Sequence, residues 1–278
     1  TVTNSITRNN LSTKEFNFLS ATIYEHFGIK MPVNKKTLLE CRLQKRLKSL
    51  EMNNFGDYVK YIQSGGLEKE LYPMANVVTT NKTDFFRESG HFDYLKSFNW
   101  DFYFHGKAES ASLKVWSSAC SSGEEPYTIA IVLQEMGFTN YRILATDISQ
   151  NVLQKAHTAI YPDDRIIPVP KFIRHKYFMK SKDKTKKVVR VSPIIRKKVE
   201  FQQLNLMDDR YEVPYKMDMI FCRNVLIYFD RITQKNVVTK LIEHLKPGGL
   251  LFIGHSESIS DLKLPLEQVK STIYRKIT

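Results

Sequence analysis

The chain carries at positions 115–130 the stretch Val115-Trp-Ser-Ser-Ala-Cys-Ser-Ser-Gly-Glu-Glu-Pro-Tyr-Thr-Ile-Ala130. An apolar run of strand length leads here through small residues to one glycine, Gly123, and then to a helical pattern. Small residues let the backbone approach a ligand closely, and the first turn of the following helix offers unpaired amide groups. Gly123 stands without the rest of a G-x-G-x-x-G motif. The stretch therefore predicts a nucleotide-type binding turn between a strand and a helix.

A second strand is predicted from Tyr141 to Ala145, and it ends at Thr146-Asp147. An acidic residue roughly 20 positions after such a glycine turn can accept hydrogen bonds from both hydroxyls of a ribose. Asp147 follows Gly123 at about this spacing. The two features together favour an adenosine-containing cofactor.

The downstream sequence continues the alternation of strands and helices. An apolar run extends from Met217 to Cys222, and a helical pattern extends from Arg231 to Leu245. Lys246-Pro-Gly-Gly249 is then predicted as a stop signal before the apolar run Leu250 to Gly254. A strand, a helix, a Pro-Gly-Gly turn and a further strand are typical of a parallel sheet. From Leu113 onward we therefore predict an α/β fold with a doubly wound sheet and helices on both faces.

The first part of the chain is predicted to be all-helical. Phe16, Leu19, Ile23 and Phe27 recur at helical spacing, and Gly28 is the expected C-cap of that helix. No strand pattern interrupts the segment before residue 78. The further helices predicted here span residues 38–50, 55–63 and 67–78, with a linker helix at 89–103.

Two later segments depart from the strand and helix alternation. Lys180 to Val191 carries many lysines and the short apolar run Val188 to Val191, which predicts an inserted β-hairpin. Gln268 to Lys276 is predicted as an edge strand that closes the sheet with an antiparallel pair. Val199 to Phe201 is predicted as a short strand.

Composition excludes several classes of protein. The 278 residues, 42% of them hydrophobic, suffice for a large domain and a small one, and no run of 18 apolar residues suggests a transmembrane helix. The polar start, Thr1 to Asn10, lacks a signal peptide pattern, so we expect a cytosolic protein. Cys41, Cys120 and Cys222 form no C-x-x-C pair, and no metal is expected. The net charge of +13 indicates an acidic partner.

Five short motifs occur along the chain: Asn81-Lys-Thr-Asp-Phe-Phe-Arg-Glu88, Ser122-Gly-Glu-Glu-Pro-Tyr127, Ala145-Thr-Asp-Ile148, Phe221-Cys-Arg-Asn-Val-Leu-Ile-Tyr-Phe-Asp230 and Gly254-His-Ser-Glu257. In sequence and in order they resemble the chemotaxis receptor methyltransferases of the CheR family, and the resemblance covers essentially the whole chain. It implies a Rossmann-like class I methyltransferase sheet, a small all-helical N-terminal domain and a small inserted β-subdomain. The implied boundaries are a receptor-facing domain with the start of a linker at 1–88, a methyltransferase domain at 89–278 and the β-subdomain at about 178–198.

The resemblance implies a protein-glutamate O-methyltransferase. It would transfer a methyl group from S-adenosyl-L-methionine to glutamate side chains of chemoreceptors, leaving S-adenosyl-L-homocysteine and forming methyl esters in chemotaxis adaptation. The implied partners are the cytoplasmic methylation helices of these receptors, with no nucleic acid and no membrane insertion. We expect a cytoplasmic monomer that is recruited to membrane-bound receptor arrays.

The family resemblance also implies site residues. Tyr228 would orient the acceptor and Arg223 would share the catalytic site, whereas Glu124 would bind the methionine amino group and Asp147 the ribose hydroxyls. Each has a structural alternative: acidic residues are common in first helical turns, and tyrosines often only pack. The cofactor-binding residues implied are Asn81, Thr83, Arg87, Gly123, Glu124, Asp147, Asn205, Leu206, Arg223 and Asn224.

A basic group on the second predicted helix has two interpretations. Arg42, Lys45, Arg46 and Lys48 could form a solvated charged face, as surface helices often do. The resemblance implies instead that they bind the acidic receptor helices, with salt-dependent association. Family members that tether to a C-terminal receptor peptide carry glycines in the loop of their β-subdomain, whereas Ser181 to Lys187 contains none. The comparison with the family therefore implies no dependence on such a tether.

Two other functions are alternatives to receptor methylation. A nucleic-acid methyltransferase would suit the fold and the positive charge, but neither an Asn/Asp-Pro-Pro-aromatic motif nor a Pro-Cys pair is present. A catalytically silent module that senses S-adenosylmethionine would retain the same cofactor residues. His255 in Gly-His-Ser-Glu is interpreted as a structural hydrogen-bonding residue.

Overall fold

The structure, a computed structural model, describes residues 10–107, 111–183 and 185–277. Most of the polar start, residues 1–9, and Lys184 of the basic insertion lie outside the described residues. The chain divides into two compact units, Thr1–Thr80 and Asn81–Thr278. Within the described ranges, no helix is both long enough and apolar enough to cross a membrane.

The first unit is all-helical, as predicted. Ser12 begins the first helix with a capping box, in which its hydroxyl accepts from the Glu15 amide while the Glu15 carboxylate accepts from the Ser12 amide. Gly28 ends the helix in the left-handed conformation at φ 67°, which confirms the predicted C-cap. The helices of this unit are α1 (Thr13–Phe27), α2 (Lys36–Ser49), α3 (Phe55–Tyr61) and α4 (Leu67–Val78).

The second unit is a seven-stranded sheet with helices on both faces, which confirms the predicted α/β fold. Its helices are α5 (Gly90–Ser97), α6 (Trp100–Tyr103), α7 (Glu124–Glu135), α8 (Gln150–Thr158), α9 (Lys171–Tyr177), α10 (Pro193–Arg196) and α11 (Arg231–Glu243). Its strands are β1 (Leu113–Ser117), β2 (Tyr141–Asp147), β3 (Ile160–Pro162), β4 (Phe178–Lys180), β5 (Val188–Val191), β6 (Val199–Gln203), β7 (Met217–Cys222), β8 (Leu245–Ile253), β9 (Leu266–Lys270) and β10 (Ile273–Lys276).

The strand order of the large sheet is β6-β2-β1-β7-β8-β10-β9. The first five strands run parallel, and β10 and β9 complete the sheet antiparallel. Neighbouring side chains of β7 enter different cores: Phe221 stacks on Phe252 on one face, and Ile220 packs with Trp116 on the other. The order reverses between β1 and β7, so a ligand is expected at the carboxyl ends of these strands.

Several sequence predictions need correction. The helix expected at 89–103 is two helices, because the chain is extended at Phe98 and Asn99 caps α6 by accepting from the Phe102 amide. The single strand expected from Gln268 to Lys276 is the hairpin β9–β10, with β9 at the edge. The inserted hairpin is the pair β4–β5, but it belongs to a three-stranded sheet of order β3-β5-β4.

Lys246-Pro-Gly-Gly249 lies inside β8 and is not a stop before it. Leu245, expected to end the preceding helix, is 1% exposed and pairs with Met217. The pairing register shifts between Met217 and Met219, and Gly248 has φ 75°. These glycines therefore make an irregularity within the strand, because burying Leu245 against the neighbouring strand outweighs the local turn signal.

Candidate active site

The turn after β1 lies at the predicted ligand edge. Gly123 adopts φ 96°, and a Cβ added there would lie 2.9 Å from Ala156 Cβ and 3.0 Å from the Tyr161 hydroxyl. Only glycine fits this position, because both the backbone angle and the close approach exclude a side chain. Gly123 is also the N-cap residue of α7, and no side chain caps the start of this helix. The first amides of α7 are therefore presented at the turn. The structure thus supplies the turn that the sequence predicts.

Asp147 ends β2 beside this turn. Its carboxylate accepts from the Ser121 amide at 2.8 Å and the Ser149 amide at 3.0 Å, and the residue is 8% exposed. Burial raises the pKa of Asp147, and the backbone donors oppose that shift. A carboxylate offers about four lone-pair positions, so capacity remains for ligand hydroxyls.

Glu124, in the first turn of α7, is 2% exposed and already carries a cationic partner. Its carboxylate accepts from the Ser122 hydroxyl at 2.6 Å and from Arg165 Nη2 at 2.7 Å. Arg165 also donates to the Thr83 carbonyl and lies 3.3 Å from the Asp84 carboxylate. Nothing local in the sequence singles out Arg165, which reaches Glu124 across 41 positions.

Arg223 follows β7 and lies between two carboxylates. Its Nε is 3.3 Å from Glu88 Oε2 and 3.5 Å from Glu125 Oε2, and its Nη2 donates to the Arg87 carbonyl at 2.6 Å. Burial raises the pKa of Glu125, with Arg223 opposing the shift. Arg223 Nη1 is buried without a hydrogen-bond partner among the described residues. This donor is therefore free to meet an anionic or carbonyl group of a bound cofactor.

Glu88 ties this arginine to the turn after β7. Its Oε1 accepts from Asn224 Nδ2 and from the His255 amide, each at 3.1 Å. Burial opposes ionisation of Glu88, but the Asn224 hydrogen bond and the Arg223 charge outweigh it and lower the pKa. Four non-glycine residues in the segment 81–88 and in the turns after β1 and β7 have left-handed backbones, a strain typical of functional sites. They are Phe86 (φ 55°), Glu88 (φ 56°), Ser121 (φ 49°) and Asn224 (φ 58°).

The remaining predicted cofactor residues occupy three connections. Asn205 and Leu206 follow β6 and are 9% and 7% exposed, and the Leu206 carbonyl accepts from the Tyr211 hydroxyl at 2.7 Å. The Asn81 carbonyl accepts from the Ser121 hydroxyl at 3.0 Å. Thr83 is 9% exposed, Arg87 Nη1 donates to the Lys82 carbonyl at 3.0 Å, and Tyr228 is a half-buried residue in the turn Leu226–Tyr228.

His91 lies against the same network. Glu88, His91 and His255 place possible metal-ligating atoms within 4.8 Å of one another. Glu88 is already engaged by Arg223 and Asn224, so ion pairing accounts for this cluster. His91 Nε2 bonds the Thr272 hydroxyl at 2.8 Å, and burial and the Arg223 charge lower the pKa of His91 to about 3. His91 is therefore a neutral structural residue at neutral pH.

The basic residues predicted on α2 separate into two pairs. Arg46 forms a bidentate pair with Glu70 at 2.6 and 2.9 Å, and Arg42 donates to the Val78 carbonyl and the Thr80 hydroxyl. Lys45 and Lys48 are exposed. Of the four, only Lys45 and Lys48 have neither a side-chain hydrogen bond nor an ion pair among the described residues.

Two family models match the chain. The CheR methyltransferase, SAM binding domain, matches residues 81–275, and the CheR methyltransferase, all-alpha domain, matches residues 14–79. A chemotaxis protein methyltransferase of Borreliella burgdorferi is 40% identical over 96% of this chain and 95% of its own length. One of Escherichia coli is 37% identical over 95% and 91%.

The observed site agrees with these matches. S-adenosylmethionine is the cofactor of the matched domain, and the residues present fit it, with acceptor capacity at Asp147 and a free buried donor on Arg223. The two matched regions together cover almost all of the described chain. The chain belongs to the CheR methyltransferase family.

Proposed function

We propose that this protein methylates glutamate side chains of chemoreceptors. The observation that carries the proposal is the convergence of Asp147, Glu124 and Arg223 at the carboxyl edge of the sheet, in a chain whose relatives are named chemotaxis protein methyltransferases. A cofactor held at that edge lies at the switch point, where open α/β sheets bind ligands.

Bound S-adenosylmethionine supplies an electrophilic methyl group on a positively charged sulfur. A glutamate acceptor, with a reference pKa of about 4.3, is ionised at neutral pH, so the protein need not provide a general base. The chain's contribution is then to align the two reactants and to exclude water from them. The buried setting of Arg223 and the half-buried setting of Tyr228 suit that task.

The proposed roles follow the observed bonds. Asp147 accepts ribose hydroxyls with the capacity its backbone donors leave free, and Glu124 receives the methionine ammonium. Arg165 now holds Glu124 at 2.7 Å, so it shares or releases that carboxylate when the ammonium binds. Arg223 uses its free Nη1, and Tyr228 orients the acceptor carboxylate through its hydroxyl. Asn81, Thr83, Arg87, Gly123, Asn205, Leu206 and Asn224 complete the proposed cofactor site.

The acceptor surface that we propose is centred on Lys45 and Lys48. Arg42 and Arg46 retain a supporting role, because both are occupied by groups of their own unit. Exposed lysines attract the acidic helices of a receptor over roughly a Debye length, about 8 Å at physiological salt. We propose that the protein acts as a monomer recruited to receptor arrays without binding nucleic acid.

The test is transfer of a labelled methyl group from S-adenosylmethionine to a purified chemoreceptor cytoplasmic domain. Base-labile label that releases methanol identifies a carboxyl ester. Asp147→Ala should abolish the label, whereas Asp93→Ala, at an exposed carboxylate that pairs with Lys96, should not. Cofactor binding without transfer to a matched receptor would favour the silent sensing module, and label on RNA would favour the nucleic-acid enzyme.

A further inference from the structure

The turn that follows β7 is held at one point by a buried carboxylate, Glu257. Its Oε2 accepts from the Gly254 amide at 2.5 Å and the Asn224 amide at 3.0 Å, and its Oε1 accepts from the Ile227 amide at 3.2 Å. Glu257 is 8% exposed. One side chain thus joins the ends of β7 and β8 and satisfies amides that would otherwise be buried without partners.

The junction around this carboxylate has no spare room. A Cβ added at Gly254 would lie 2.5 Å from Asn224 Nδ2 and 2.8 Å from Glu257 Oε2. Asn224 adopts φ 58°, a left-handed conformation that persists in a residue other than glycine only where its surroundings impose it. The bond from its amide to Glu257 is one of those constraints.

The turn held in this way carries two site residues. Asn224, at its start, donates from Nδ2 to Glu88 Oε1 at 3.1 Å. Tyr228 follows directly after Ile227, whose amide is bonded to Glu257, and its own amide closes the turn on the Val225 carbonyl at 3.1 Å. A shift of the Glu257 carboxylate therefore moves the backbone on which both side chains stand.

We propose that Glu257 is a positioning residue for methyl transfer, which acts by fixing the turn 224–228 and thereby the side chains of Asn224 and Tyr228. Its effect on the acceptor rests on the proposed function, because that function places Tyr228 against the acceptor. Its effect on Asn224 concerns cofactor binding and does not depend on which acceptor is used.

Glutamine is a sharp probe because it matches glutamate in size. Its amide oxygen can replace one carboxylate oxygen, but its NH2 group then faces a backbone N–H as a second donor. If the oxygen takes the Oε2 place, the Ile227 amide loses its acceptor; if it takes the Oε1 place, the Gly254 and Asn224 amides lose theirs. Either orientation releases part of the turn.

The experiment compares Glu257→Gln, Gly254→Ala and the exposed control Ser256→Ala in the full chain. Gly254→Ala disturbs the same junction without removing the carboxylate. It can therefore replace Glu257→Gln in the experiment if that variant folds poorly. Misplacement by about 1 Å can cost about a hundredfold in rate, so we expect kcat to fall between about tenfold and a hundredfold in the first two variants. Ser256→Ala should match the parent.

Hydrogen exchange and a mutant cycle separate positioning from mere structural support. Amides 224, 227 and 254 should exchange faster in Glu257→Gln, while amides in the centre of β7 keep their protection. In a Tyr228→Phe background, the further loss of kcat from Glu257→Gln should be much smaller than in the parent, because residues that act as a unit are not additive.

Unchanged exchange at the three amides, or an equal kcat loss with and without the Tyr228 hydroxyl, would overturn the assignment. If the parent methylates no receptor, the proposed function fails. Hydrogen exchange and the dissociation constant for S-adenosylmethionine then still test whether Glu257 positions the turn. We expect that constant to rise in Glu257→Gln but not in Ser256→Ala.

Discussion

Replacing Arg46 with methionine should strongly destabilise the helical unit. Arg46 is the bidentate partner of Glu70, a residue only 1% exposed, whose Oε1 also accepts from the Tyr58 hydroxyl at 2.9 Å. The Glu70 hydrogen bond and charge also raise the pKa of Arg46. Without Arg46, a buried carboxylate retains one neutral donor.

The magnitude follows from leaving a buried carboxylate without its cationic partner. Removing one partner of a buried ion pair costs about 3–5 kcal/mol. Glu70 would keep only the hydrogen bond from the Tyr58 hydroxyl.

Amide hydrogen exchange in α2 and α4 measures this free energy locally in the full chain. Arg46→Met should lose about 3–5 kcal/mol. Lys45→Met, the same change at the exposed neighbour, should stay within about 0.5 kcal/mol of the parent.

A combined variant tests the cause. Replacing the whole group with apolar residues, as Arg46→Met, Tyr58→Phe and Glu70→Met, removes every buried polar partner at once and should recover most of the loss. A loss for Arg46→Met no larger than that for Lys45→Met, or no recovery in the triple variant, would refute the reasoning. Arg46 would then be stabilising through its packing and not through the buried charge.

Three further predictions concern other parts of the chain. Lys45→Glu with Lys48→Glu should raise the KM for a receptor domain and weaken its salt dependence without lowering the urea midpoint, as steady-state kinetics at two ionic strengths would show. His91, with a pKa of about 3 when folded and about 6.5 unfolded, makes stability fall as pH drops from 6.5 towards 3. The slope is about 1.4 kcal/mol per pH unit, and urea titrations of His91→Gln should lack it. Gly123→Ala, forced to φ 96° with its Cβ 2.9 Å from Ala156, should lose about 1–3 kcal/mol and bind S-adenosylmethionine more weakly by calorimetry.

Local signals sufficed wherever a single segment determines its own structure. The limits of α1 follow from Ser12 and Gly28, and Gly123 marks the turn because only a short stretch of chain decides its backbone. The signal failed at Lys246-Pro-Gly-Gly249, since the start of β8 is set by pairing with β7, a partner some 28 residues earlier (245 − 217). Turn propensity competes there with a buried strand pairing that no local pattern reveals.

The sequence predicted where the candidate site lies, but it did not predict which side chains pair with one another there. Motifs at strand ends identify Asp147 and Arg223, since the alternation of strands and helices brings those ends together. The sequence did not single out Arg165 and Glu257, because Arg165 reaches Glu124 across 41 positions and Glu257 reaches Asn224 across 33. The family resemblance also implied that Arg46 binds a receptor, whereas in the structure Arg46 pairs with Glu70, 24 positions later.

Carboxylates at the ligand edge serve the fold as well as the ligand. Asp147 accepts from two backbone amides of neighbouring turns, Glu88 from the His255 amide, and Glu257 from three amides of the turns after β7 and β8. Each is an acidic side chain where the parallel strands leave backbone donors unpaired. A count of acidic residues therefore overstates how many can face the cofactor. The ones that can are those with lone pairs left after the backbone is satisfied. Asp147, which accepts from the Ser121 and Ser149 amides on separate oxygens, meets that condition better than Glu257, which accepts from the Gly254, Asn224 and Ile227 amides.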